Sequence, residues 1–95
     1  MILERAEFPV KEGQQAAFAA MMEQRGCHLL GSAEGCHSVR VGPGVENPDK
    51  FILLLEWDSV EHHVALTKTP AFGEFRKLAE QFFAGPPIME HFDMG

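Results

Sequence analysis

Residues 50–66 read KFILLLEWDSVEHHVAL, and the fold turns on how that stretch divides. Its apolar run, Phe51–Leu55, is far short of the roughly 20 residues that span a bilayer. A continuous run of this length fits a strand in the middle of a sheet with both faces covered. Just past Trp57, Asp58 and Ser59 offer side-chain oxygens that can accept first-turn N–H groups, and Asp58 with Glu61 three residues on resembles a capping box. A central strand therefore ends at Trp57 and a helix starts within two residues. The expected inner stripe of that helix is Val60, His63, Val64 and Thr67.

Working outward, GPGVENPDK (42–50) is rich in turn residues and predicts a hairpin back to a strand at CHSVRV (36–41). ILERAEFPV (2–10) alternates as a strand, with Ile2, Glu4, Ala6, Phe8 and Val10 on one face. From Gln14 the spacing is helical, with Ala17, Phe18, Met21 and Met22 on one stripe. Gly26 is the expected stop, and the segment after it a connector. Pro70 suits the first turn of a further helix whose stripe is Phe72, Phe75, Ala79 and Phe82. Pro86 and Pro87 end it, and IMEHFDM (88–94) is the last strand. The order is β-α-β-β-α-β, an α+β ferredoxin-like arrangement with an antiparallel sheet. All 95 residues are expected in one domain. Helices cover one face only, yet Phe51–Leu55 leaves apolar side chains on the other. A second copy of the chain would cover them, so a homodimer is expected.

The formal charge is −6, from 14 acidic and 8 basic residues. The basic residues form no stripe, which argues against nucleic acid and against an anionic membrane surface. Two cysteines cannot make a disulfide scaffold. The opening MILERAEF carries acid by position 4 and does not read as a signal peptide, so a cytoplasmic protein is expected.

Three constellations bear on chemistry. Trp57 and His63, six residues apart, would meet where helix and sheet diverge. There burial keeps an imidazole neutral and basic, able to take a proton from a phenol. The same spacing fits a core histidine bonded to a backbone carbonyl, and spacing alone leaves both open. Cys27-His28 and Cys36-His37 carry zinc-type donors but match no recognised zinc spacing, and no metal is expected there. Phe8, Phe72, Phe75 and Phe82 read as core or as the lining of a pocket for a flat organic ligand, with His91 a second polar contact. No phosphate loop, nucleophile elbow or flavin motif is present.

The segment FILLLEWDSVEHHVALTKTPAFGEF (51–75) resembles the antibiotic biosynthesis monooxygenase family. That family shows an apolar strand ending in Trp, a His-rich helix and a Ser/Thr-Pro-x-Phe turn, here Trp57, His62/His63 and Thr69-Pro70-Ala71-Phe72. FPVKEG (8–13) and His91-Phe92 match its first and last strands. The resemblance implies a dimeric α+β barrel with a cleft in each subunit. It implies a cofactor-independent monooxygenase acting on a small aromatic phenol or quinol with molecular oxygen, without metal or flavin. Trp57 matches the family's cleft tryptophan, and His63 stands where some of its oxygenases have a polar aromatic residue. Leu53 stands where those oxygenases carry Asn. Ala6 and Thr67 stand where the haem-degrading branch needs Asn and His, which speaks against haem. The expected site is His63 as base or hydrogen-bond partner and Trp57 as cleft wall. Phe8, Leu53, Leu66, Phe72 and Phe75 line it and His91 flanks it. The alternatives are a non-catalytic dimeric binder of a hydrophobic metabolite and an isomerase of the same family.

Overall fold

The computed structural model describes residues 1–95. β1 (Ile2–Pro9) is followed by α1 (Gln15–Met21), which runs through a π-helical turn (Met22–Gly26) into α2 (Cys27–Gly31). Then come β2 (Cys36–Pro43), β3 (Lys50–Trp57), α3 (Val60–Leu66), α4 (Pro70–Ala79), a 3-10 turn (Glu80–Phe82) and β4 (Ile88–Asp93). The four strands form one antiparallel sheet in the order β2-β3-β1-β4, so the expected α+β ferredoxin-like order holds. No helix is long and apolar enough to cross a membrane.

Period-two alternation sets the two faces of the sheet. Glu4, Ala6 and Phe8 of β1 and Phe51, Leu53, Leu55 and Trp57 of β3 all turn to the helices and are buried. Phe18, Met22, Leu30, Leu66, Phe75 and Ala79 of the helical layer close over them. The Phe18 ring stands edge-on to Phe51 and Phe82, at centroid distances of 4.9 and 5.7 Å, a favoured aromatic geometry. On the opposite face Ile52 and Leu54 are only half-buried within one chain. The continuous apolar run of β3 thus splits into a covered inner set and an open outer set.

Two local expectations are corrected. Gly26 does not stop the first helix. It is itself helical (φ −60°, ψ −49°), and Cys27–Gly31 continues the helix instead of forming a connector. A Cβ at Gly26 would meet Met22 Sδ at 2.6 Å, so the missing side chain serves packing at the π turn rather than chain reversal. In α3 the buried residues are His63 and Leu66, while Val64 is 47% exposed. The buried edge is shifted by less than a quarter turn, keeping His63 and taking Leu66 in place of Val64 and Thr67. Ser59 is the N-cap, its Oγ accepting from the His62 N–H. Asp58, one residue outside, is bonded to His37 Nε2 at 2.5 Å. Thr69 caps α4 in the same way, accepting from the Phe72 N–H with Pro70 in the first turn.

Candidate active site

β1 lies between β3 and β4, and its register aligns Glu4 with Leu55 on one side and His91 on the other. α3 leaves the sheet just past Trp57, so its first turns lie over the end of the sheet where Glu4 and His91 sit. His63, four residues into that helix, drops onto this row and is 6% exposed.

The result is a connected polar group inside an apolar layer. Trp57 Nε1–H donates to Glu4 Oε1 at 2.9 Å, joining residues 53 apart in the chain. The same Oε1 lies 3.5 Å from His63 Nε2. On the other edge of the His63 ring, Nδ1 is 2.8 Å from His91 Nε2. The His63 ring stacks on Trp57, with centroids 5.4 Å apart and planes inclined by 28°. Loss of water raises the pKa of Glu4, and the Trp57 hydrogen bond and the neighbouring His91 pull it back. Loss of water, and secondarily His91, lowers the pKa of His63. Burial therefore biases both groups toward their uncharged forms, while the Trp57 hydrogen bond favours the Glu4 carboxylate.

Glu4 and His63 look into a cavity of about 440 Å³, within the roughly 300–1,000 Å³ typical of small-molecule sites. Of the residues expected from sequence, His63, Phe8, Leu53, Leu66, Phe72 and Phe75 all line it. Trp57 does not. It is 0% exposed and forms the support behind His63 rather than the wall a ligand would touch. His91 is also absent from the lining and stands half-buried on the far side of His63, on an edge strand. Sequence reasoning missed Glu4, although a carboxylate on the inward register of an apolar strand is itself a signal. It also missed Leu55, Arg76 and Met89, which reach the same cavity from three different elements.

Glu4, His63 and His91 bring a carboxylate oxygen and two imidazole nitrogens within 4.8 Å of one another, the donor types of a two-histidine, one-carboxylate metal site. Their arrangement is a chain, however. Glu4 approaches Nε2 of His63 and His91 approaches Nδ1. The Cys27-His28 and Cys36-His37 pairs are not gathered at all. Cys27 is on α2, Cys36 on β2, both thiols are free, and His37 pairs with Asp58.

Residues 1–78 match the family model described as antibiotic biosynthesis monooxygenase. A crystal structure from Bordetella bronchiseptica, assigned by name to the antibiotic biosynthesis monooxygenases, is 34% identical with a TM-score of 0.92. The match covers 99% of this chain and 96% of that one. A similarly named structure from Nitrosomonas europaea shares the fold at 15% identity and TM-score 0.83, over 98% and 97% of the two chains. The uncharacterised protein YczJ of Bacillus subtilis is 26% identical over 93 residues, 97% of each chain. Together with the matched strand order, these place the chain in the antibiotic biosynthesis monooxygenase family.

Proposed function

We propose that the chain is a cofactor-independent monooxygenase that oxidises a small aromatic phenol or quinol in the cavity between helices and sheet. The observation that carries this reading is His63, a buried imidazole held near neutrality at one end of an otherwise mostly apolar cavity. A neutral imidazole there can remove a phenolic proton. As His63 takes that proton, the carboxylate form of Glu4, 3.5 Å from Nε2, stabilises the imidazolium. The aromatic anion left behind is electron-rich and delivers an electron to molecular oxygen. Recombination places one oxygen atom on the ring, and the other leaves as water. For an anthrone-type CH₂ group the balance is CH₂ + O₂ → C=O + H₂O, with every electron supplied by the substrate. Phe8, Phe72 and Phe75 hold the ring and keep water from the anion.

The test is oxygen consumption by the native protein against hydroquinones, naphthols and anthrones, with denatured protein as control. His63→Ala is expected to lower turnover about 10²–10⁴-fold, the usual contribution of a general base. A change under about threefold would remove His63 from the mechanism. A second reading, a non-catalytic binder of a hydrophobic metabolite, is favoured by Leu53, which supplies only an apolar side chain to the cavity. Thermal stabilisation by a ligand without oxygen uptake would support it.

A further inference from the structure

The reading of His63 as base leaves open which ring nitrogen takes the proton and where that proton goes. We propose that His91 fixes His63 with its proton on Nδ1, leaves Nε2 as the base facing Glu4 and the cavity, and passes protons onward to solvent at the edge of the sheet.

The two polar neighbours of the His63 ring differ in reach. His91 Nε2 is 2.8 Å from Nδ1, a full hydrogen bond. Glu4 Oε1 is 3.5 Å from Nε2, too long for one, and it is already engaged by Trp57 at 2.9 Å. A neutral imidazole carries one N–H and puts it where an acceptor waits at bonding distance. With Nδ1–H donated to His91, the unshared pair sits on Nε2. The loose contact to Glu4 leaves that pair available to a substrate hydroxyl. Trp57 stacks on the ring and holds its plane. The arrangement parallels base-and-orienter pairs in general, with a histidine in the orienting place.

A histidine there can do what a carbonyl oxygen cannot. When Nε2 accepts the substrate O–H proton, Nδ1 of His63 can hand its own proton to Nε2 of His91. The Nδ1–H of His91 is then released to water. One proton enters the chain and one leaves, and no charge stays in the cavity beyond the substrate anion. Both rings end in the opposite tautomer. A proton taken up from water at His91 Nδ1 resets them by running the transfers in reverse, with the Nε2 proton of His63 passing to the reduced oxygen that leaves as water. The fold places the exit suitably, because His91 is half-buried on β4, an edge strand, while His63 is buried.

Two variants separate orientation from relay. His91→Gln keeps a carbonyl oxygen as acceptor for Nδ1–H but cannot pass a proton. His91→Phe removes both functions. Nitrogen NMR of the histidine rings is expected to show His63 protonated on Nδ1 in the native protein and in His91→Gln, and a tautomer mixture in His91→Phe. Native His63 protonated on Nε2 would overturn the proposal whatever the activity. The relay is read with 4-nitrophenol, whose absorbance reports its ionisation in the cavity after a pH jump. His91→Gln is expected to slow that ionisation about tenfold or more, with added imidazole restoring it. An unchanged rate in His91→Gln would sink the relay. Failure of 4-nitrophenol to bind the native protein would count against the phenol-site reading instead, and the tautomer measurement would still decide the orienting role of His91.

Discussion

At the scale of single residues, Glu4 and His63 should leave opposite marks on the pH dependence of stability. Glu4 has a pKa raised above its ordinary 4.5 by burial. Between that value and the higher folded one, the folded chain holds more protons than the unfolded chain. Stability therefore falls as pH rises through this window. Glu4→Gln still offers Trp57 Nε1–H an acceptor oxygen and has no proton to lose. Its stability relative to the native chain should rise as pH climbs above 4.5 through this window. For His63 the sign is reversed, because its folded pKa lies below 6.5. The contribution is fully present above the unfolded value and is lost as pH falls through the folded one. His63→Gln should accordingly gain on the native chain as the solution is acidified below pH 6.5. Urea unfolding of the three proteins across this range checks both slopes. Parallel curves would mean that neither group is held away from its ordinary titration.

At the scale of elements, the π turn in the first helix makes a sharp case. Gly26→Ala replaces a poor helix former with the best, a gain of up to about 1 kcal/mol in an open helix. Here the new Cβ would lie 2.6 Å from Met22 Sδ and 3.1 Å from its Cε, and Met22 is 0% exposed, so its side chain must shift within the core. Overpacking of this kind typically costs about 1–3 kcal/mol, so Gly26→Ala should be destabilising in denaturant unfolding. A net gain would show Gly26 to be a tolerated defect. The same residue shows why part of the fold was not legible. A glycine after an apolar stripe reads as a helix end, and only the packed side chain of Met22 reveals another reason for it. β3 and the Pro70 helix were legible because pattern, caps and breakers agree locally: the strand alternates inward from Phe51 to Trp57, and Thr69-Pro70 both caps and starts α4. His63 was legible as a buried histidine, but Glu4 was passed over in an alternating strand. Its meaning comes from Trp57 and His91, which reach it only through strand pairing. The roles expected of Trp57 and His91 shifted for the same reason, since sequence spacing can bring residues near a cavity without saying which stand in front.

At the scale of the whole molecule, the outer face of the sheet requires an account. Leu3, Ile52 and Leu54 are half-buried there, and Ile88 and Phe92 are 64% and 41% exposed. The strand register sets Leu54 between Arg5 of β1 and Arg40 of β2, while Glu7 and Glu90 stand on the same face. Arg5 pairs with Glu7 and Glu90 within the chain, so the face presents apolar side chains among largely neutralised charges, a surface suited to a second copy. We therefore expect a homodimer closed through this face. Roughly 800 Å² from each chain is the usual extent of a stable interface. Leu54→Glu should break it by putting a carboxylate from each chain in place of apolar contact, while leaving the inner core and the His63 cavity intact. Light scattering at micromolar concentration should give twice the chain mass for the native protein and the single mass for Leu54→Glu, with unchanged far-UV circular dichroism. A native protein that scatters as a monomer would remove the dimer, and the half-buried leucines of the outer face would then be ordinary exposed surface. If the dimer forms and Leu54→Glu also loses 4-nitrophenol binding, the second copy supports the cavity across the sheet. Retained binding would show that each chain's site is complete alone.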